Sequence, residues 1–233
     1  MVDEDQGIDY AIGFGSMNGV KWFTDGFKPS VLDYYKTTVS SMVPALLLVI
    51  FTIIFISREF SSGYIKSIGA YVKMRDIFVG NIFIIAIMTV CMSATMLLSM
   101  SISSLVVGGS LTFGAVGTLL QFILYTMFLS VAFVVIPITL FYVTRSSLIA
   151  LVLGSLETML GTIVCGGVAN LIAHEYLGAA EDFQLSEYFA VFHLKNAEFA
   201  FGRNELTNPI IFAIIAFVVC SVASMYALKK RDV

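Results

Sequence analysis

The sequence predicts an all-α fold, a polytopic helical bundle within a membrane, and three observations predict it. Of its 233 residues 58% are hydrophobic and 12% charged, about half the charged share of a soluble domain, and the mean hydropathy is +0.93. Apolar runs of membrane-spanning length recur along the chain. Between two of them, residues 56–81 gather Arg58, Glu59, Lys66, Lys73, Arg75 and Asp76 in a chain that otherwise avoids charge. The net charge of -3 decides little, because orientation in a membrane follows where Lys and Arg sit. No basic stripe exists to neutralise phosphates, which argues against a nucleic-acid partner.

Residues 1–38 form a polar, Gly-rich outer segment. Its acidic start, Asp3, Glu4, Asp5 and Asp9, lacks the basic and apolar regions of a signal peptide. Trp22 and Phe23 suit a membrane surface, where aromatic belts form. Ser30 and Asp33 match a capping box, so a helix is expected to begin there and run through Tyr34 and Tyr35 into a first visible span, residues 39–57. Pro44 lies near the outer end of that span, where a missing backbone hydrogen bond costs least.

The charged linker, residues 58–76, precedes a second span at 77–106, which the turn at Gly108, Gly109 and Ser110 ends, within residues 107–116. A third span covers 117–143, and Pro137 is expected to kink it. Arg145, Ser146 and Ser147 make a short connection to a fourth span at 148–172, with Glu157 near its middle. In the outer segment 173–208, Leu185, Tyr188, Phe189 and Phe192 recur at the spacing of one helix face, predicting a short helix at the membrane surface. Thr207, Asn208 and Pro209 then start a fifth span at 209–228, closed by Lys229, Lys230 and Arg231 in the tail 229–233.

Charge density sets the orientation. With the linker in the cytoplasm, the inside carries Arg58, Lys66, Lys73, Arg75, Arg145, Lys229, Lys230 and Arg231. The outside carries Lys21, Lys28, Lys36, Lys195 and Arg203, spread over two longer segments. Five spans with a cytoplasmic C-terminus place residues 1–38 outside, and the expectation is that a further span precedes the chain.

Glu157 is a candidate functional residue, since an acid at mid-helix costs about +2.5 to +3.5 kcal/mol on insertion scales. Gly154, Thr158, Gly161 and Cys165 give its helix a face of small residues that permits close approach, so Glu157 is expected to face protein and serve either a pathway or helix coupling, or a structural hydrogen bond. Ser93, Ser99, Ser101, Ser103 and the methionines around them suit a flexible path for amphiphiles or ordinary packing. Cys91, Cys165 and Cys220 each sit in an apolar run without metal-ligand spacing. His174-Glu175 lacks the second His of a zinc-protease motif, and no catalytic set or phosphate-binding loop occurs, so the chain is expected to be no enzyme.

The order of parts resembles the permease subunits of bacterial ABC transporters of the second type, the ABC-2 exporter class. Members have six spans and, on the cytoplasmic linker before the third, a Glu followed by a Gly, then a basic residue, then an Arg. Glu59, Gly63, Lys66 and Arg75 stand at matching places. The likeness covers the whole chain in layout and is specific across residues 58–81. The family's first span has no counterpart here, and Tyr64 stands where Thr is common.

The resemblance implies a transport subunit in the bacterial plasma membrane, paired with a second permease copy or a homologue. ATP and Mg would sit on a cytoplasmic ABC ATPase dimer. It also implies that the linker forms an amphipathic coupling helix docked on that ATPase. Phe60, Tyr64 and Ile65 would make the apolar contact, Arg58, Glu59 and Lys66 would fix register, and Arg75 would flank it. The substrate expected is an amphiphile, a peptide or bacteriocin-like molecule. The alternative is a secondary transporter or channel working without an ATPase.

Overall fold

A computed structural model describes residues 30–62, 73–108, 111, 113, 116–163, 167–176, 178, 189–195 and 207–229. Among these residues the regular structure is entirely helical: α1 Val31–Ser40, α2 Val43–Ser61, α3 Met74–Gly108, α4 Val116–Thr144, α5 Ser147–Ile163, α6 Ala169–Glu175, α7 Ala190–Lys195 and α8 Thr207–Lys229. Among the described residues four stretches are long and apolar enough to cross a membrane: Val43–Ser61, Arg75–Val106, Val116–Thr144 and Ile210–Lys229.

The capping box forms as expected. The Ser30 hydroxyl accepts from the Asp33 N–H at 3.3 Å, and the Asp33 carboxylate accepts from the Ser30 N–H at 2.9 Å. Its helix does not continue into the first span. It stops at Ser40, and Met42 takes a left-handed conformation with φ of 60° before α2 begins. Pro44 explains the break, because an unbroken helix would drive its ring into the Ser40 carbonyl and leave that carbonyl without a donor. Ser41 mends the gap: its hydroxyl donates to Thr38 O at 2.7 Å and accepts from the Val43 N–H at 3.4 Å.

The expected fourth span, 148–172, is not one described helix. Helix α5 ends at Ile163, α6 starts at Ala169, and residues 164–166, including Cys165, lie outside the described residues. Gly161, Gly166 and Gly167 make that region a poor helix former. Pro137 lies inside α4, which runs on through it.

Contacts between helices fix their directions. Phe60 meets Phe141 at 5.5 Å between ring centroids and Phe78 meets Tyr142 at 6.0 Å, so the end of α2, the start of α3 and the end of α4 lie together. Helix α8 packs along α4 more extensively than any other pair. Thr139 Oγ1, 2.8 Å from Val135 O of its own helix, lies 2.9 Å from Ser224 Oγ and 3.2 Å from Cys220 O, while Phe212 near the start of α8 meets Phe189 beside α7, so α4 and α8 run parallel. Arg58, Lys73, Arg75, Arg145 and Lys229 therefore share one end of the bundle, called here the basic end.

At the opposite end Tyr35 packs edge-on against Phe122 at 5.9 Å, and Thr38 Oγ1 donates to the Met100 sulfur at 3.5 Å. Helix α7 caps the same end. Val191 and Leu194 are its buried residues, and Phe189 just before it stacks on Phe212 at 5.4 Å. Of the face read from Leu185, Tyr188, Phe189 and Phe192, residues 185 and 188 and the Phe192 side chain fall outside the described residues, while Phe189 packs inward next to the buried Val191 and Leu194.

Candidate functional site

At the basic end, three helices converge on a small polar group set in aromatic rings. Asn81, about two turns into α3, is buried, and its side-chain nitrogen donates to the Tyr142 hydroxyl on α4 at 2.9 Å. The Glu59 carboxylate, in the last turn of α2, hydrogen-bonds the Asn81 side chain, while its Oε2 is buried with no hydrogen-bond partner among the described residues. Phe60 covers the group, 5.5 Å from Phe141 and 5.7 Å from Tyr142. Burial makes such a network consequential, since removing one member strands the others without water.

The structure separates the linker residues singled out from sequence. Arg58, Glu59 and Phe60 belong to α2 itself, with Arg58 exposed and the Phe60 ring packed into the bundle. Arg75 lies in the first turn of α3, exposed, its Nε 3.5 Å from Asp76 Oδ1. Gly63, Tyr64, Ile65 and Lys66, the centre of the proposed coupling helix, lie outside the described residues. Asn81 and Tyr142 are the functional candidates that sequence reading missed. Asn81 closes the charged stretch and Tyr142 lies among other aromatic residues of its span, so neither stands out in the sequence.

The small face of α5 packs as expected. A Cβ on Gly154 would stand 2.9 Å from Val49 Cγ1 and 3.0 Å from the Pro137 ring, so α2, α4 and α5 touch there. A Cβ on Gly161 would stand 3.0 Å from Val191 Cγ2, which seats α7 on the same face. Thr158 is buried between them and returns its hydroxyl to Gly154 O at 2.7 Å. Glu157 lies at the edge of that face, with exposed Leu153, Leu156 and Leu160 on its other side. No hydrogen bond joins it to any described residue.

A second polar feature lies toward the opposite end. Thr89, Met92, Ser93 and Met96 of α3 and Thr126 and Ser130 of α4 line a cavity of about 20 Å³, closed by Tyr35 and Val39 of α1, Pro44 and Ala45 of α2, and Leu194 of α7. Ser93 and its neighbouring methionines are thus brought to one place, while Ser101 and Ser103 turn their hydroxyls back to Leu97 O and Ser99 O and Ser99 is exposed. Among the described residues, no group of His, Cys, Asp and Glu side chains is arranged to hold a metal ion. Compared with protein-family models, curated proteins and solved structures, the chain matches none of them.

Proposed function

We propose that the chain is the membrane permease subunit of an ATP-driven exporter of the second ABC type, and that residues 58–76 receive work from a separate ATPase dimer on the cytoplasmic side. The observation that carries this reading is the joint at the basic end. Phe60 at the start of the linker and Phe78 and Asn81 just after it are fastened to the end of α4, and Glu59 joins the group through Asn81. A force applied to the linker is handed at once to α4 and, through Thr139 and Ser224, to α8.

The shared end of Arg58, Lys73, Arg75, Arg145 and Lys229 supports placing it in the cytoplasm, with the C-terminus. Helix α5, 17 residues long, serves as the fifth span, about 26 Å at 1.5 Å per residue. The substrate is an amphiphile of peptide type, moved by two such permeases acting as a pair. Phe60 acts in this scheme as a positioning residue, and the ATPase contact falls to Arg58, Tyr64, Ile65 and Lys66.

The test is gentle purification of the chain from its native membrane. An ATPase subunit is expected to accompany it, and Tyr64→Ala with Lys66→Glu should abolish that association without lowering the melting temperature of the chain. Substrate transport by the purified chain alone, without ATP or a partner, replaces this reading with a secondary transporter or channel.

A further inference from the structure

Hydroxyls on membrane-spanning helices ordinarily return to the carbonyl four residues earlier, which satisfies them without a partner helix. Thr89 and Thr126 do this, bonding Ile85 O and Phe122 O at 2.8 and 2.9 Å. Ser93 and Ser130 do not. Neither makes a hydrogen bond to any described residue, and both line the cavity between α3 and α4. Ser93 is only 6% exposed and Ser130 is half-buried, so neither side chain is turned fully to the surface.

A buried hydroxyl without a partner costs about 1–3 kcal/mol, which Ser93 avoids by bonding a ligand held in the space that Ser130 also lines. The space, about 20 Å³, exceeds the roughly 10–15 Å³ that one water needs. A bound water also wants two to four polar neighbours. Ser93 and Ser130 each offer a donor and lone pairs, and the Thr89 and Thr126 oxygens keep a lone pair after donating to their own helices.

We propose that this cavity is a binding site for a resident water molecule that bridges the Ser93 and Ser130 hydroxyls and so joins α3 to α4. The inference does not depend on the exporter reading, because it rests on the cavity and its two hydroxyls alone.

Radiolytic footprinting of the full chain in lipid nanodiscs tests it, since X-rays generate hydroxyl radicals from bound water beside the residues it touches. Met92 and Met96 line the cavity, whereas Met159 is 51% exposed on α5, toward the hydrocarbon. The expected result is faster oxidation of Met92 and Met96 than of Met159 in the wild-type chain. In the Ser93→Ala, Ser130→Ala variant both rates fall to that of Met159. Equal rates for the three methionines in the wild-type chain overturn the proposal without recourse to a variant, and so does unchanged oxidation of Met92 and Met96 in the variant.

Discussion

Helices α3 and α4 are joined twice, and the two joints differ in kind. At the basic end Asn81 reaches Tyr142 directly at 2.9 Å within a shell of Phe60, Phe78 and Phe141. At the other end Ser93 and Ser130 line one small cavity, under a roof made of two short helices and a left-handed turn at Met42. Direct bonds in a packed aromatic shell resist displacement. A link through water re-forms after small shifts at little enthalpic cost. The difference suits a bundle that pivots about its basic end and yields at the opposite one.

The comparison can be broken by substitution. The largest effect is expected from Tyr142→Ala, which deletes a fully buried ring and strands Asn81, at a loss of about 3–5 kcal/mol in reversible unfolding in detergent. A loss no larger than that of a surface change would remove the basic end as the rigid joint. Next comes Gly154→Ala: with Val49 and Pro137 both backed by long helices, the added methyl should cost about 1–3 kcal/mol by the same measurement.

Gly161→Ala sharpens the contrast, because its neighbour Val191 lies on a helix of 6 residues that can shift. Its melting temperature should fall clearly less than that of Gly154→Ala, and an equal fall would show the roof to be as firm as the bundle. Smallest is Ser30→Ala, which removes a cap worth about 0.5–2 kcal/mol from α1 alone. Hydrogen exchange should then quicken in Val31–Ser40 and stay unchanged in the last turn of α2.

Much of this architecture was legible in the chain. Long apolar runs announce themselves by composition alone, so the spans expected at 77–106, 117–143 and 209–228 match Arg75–Val106, Val116–Thr144 and Ile210–Lys229 closely. The capping box was legible because both partners lie three residues apart. The break at Met42 was not, since a proline near a helix start reads equally as a tolerated residue and as the beginning of a new helix. The Asn81–Tyr142 bond spans 61 residues of sequence, and no local pattern marks a partner at that distance. For Glu157 the small face was legible, but its place at the edge of that face depends on how α5 is rotated between α2 and α4.

Helices α2 and α3 lie side by side with very unequal lengths, 19 and 35 residues. At 1.5 Å per residue these are about 28 and 52 Å, against a hydrocarbon layer of about 30 Å. Helix α2 is about as long as that layer is thick. Its ends lie beside Asn81 and the Met92–Met96 turn of α3, so the last turns of α3, from Leu97 to Gly108, extend past α2 beside α1. The tilt needed to submerge them exceeds the 0–40° seen for spanning helices. Leu98, Ile102, Leu105 and Val106 are nonetheless exposed there. Helix α3 thus carries an exposed apolar surface well past the length of α2, and a layer that fits one of the two helices does not fit the other.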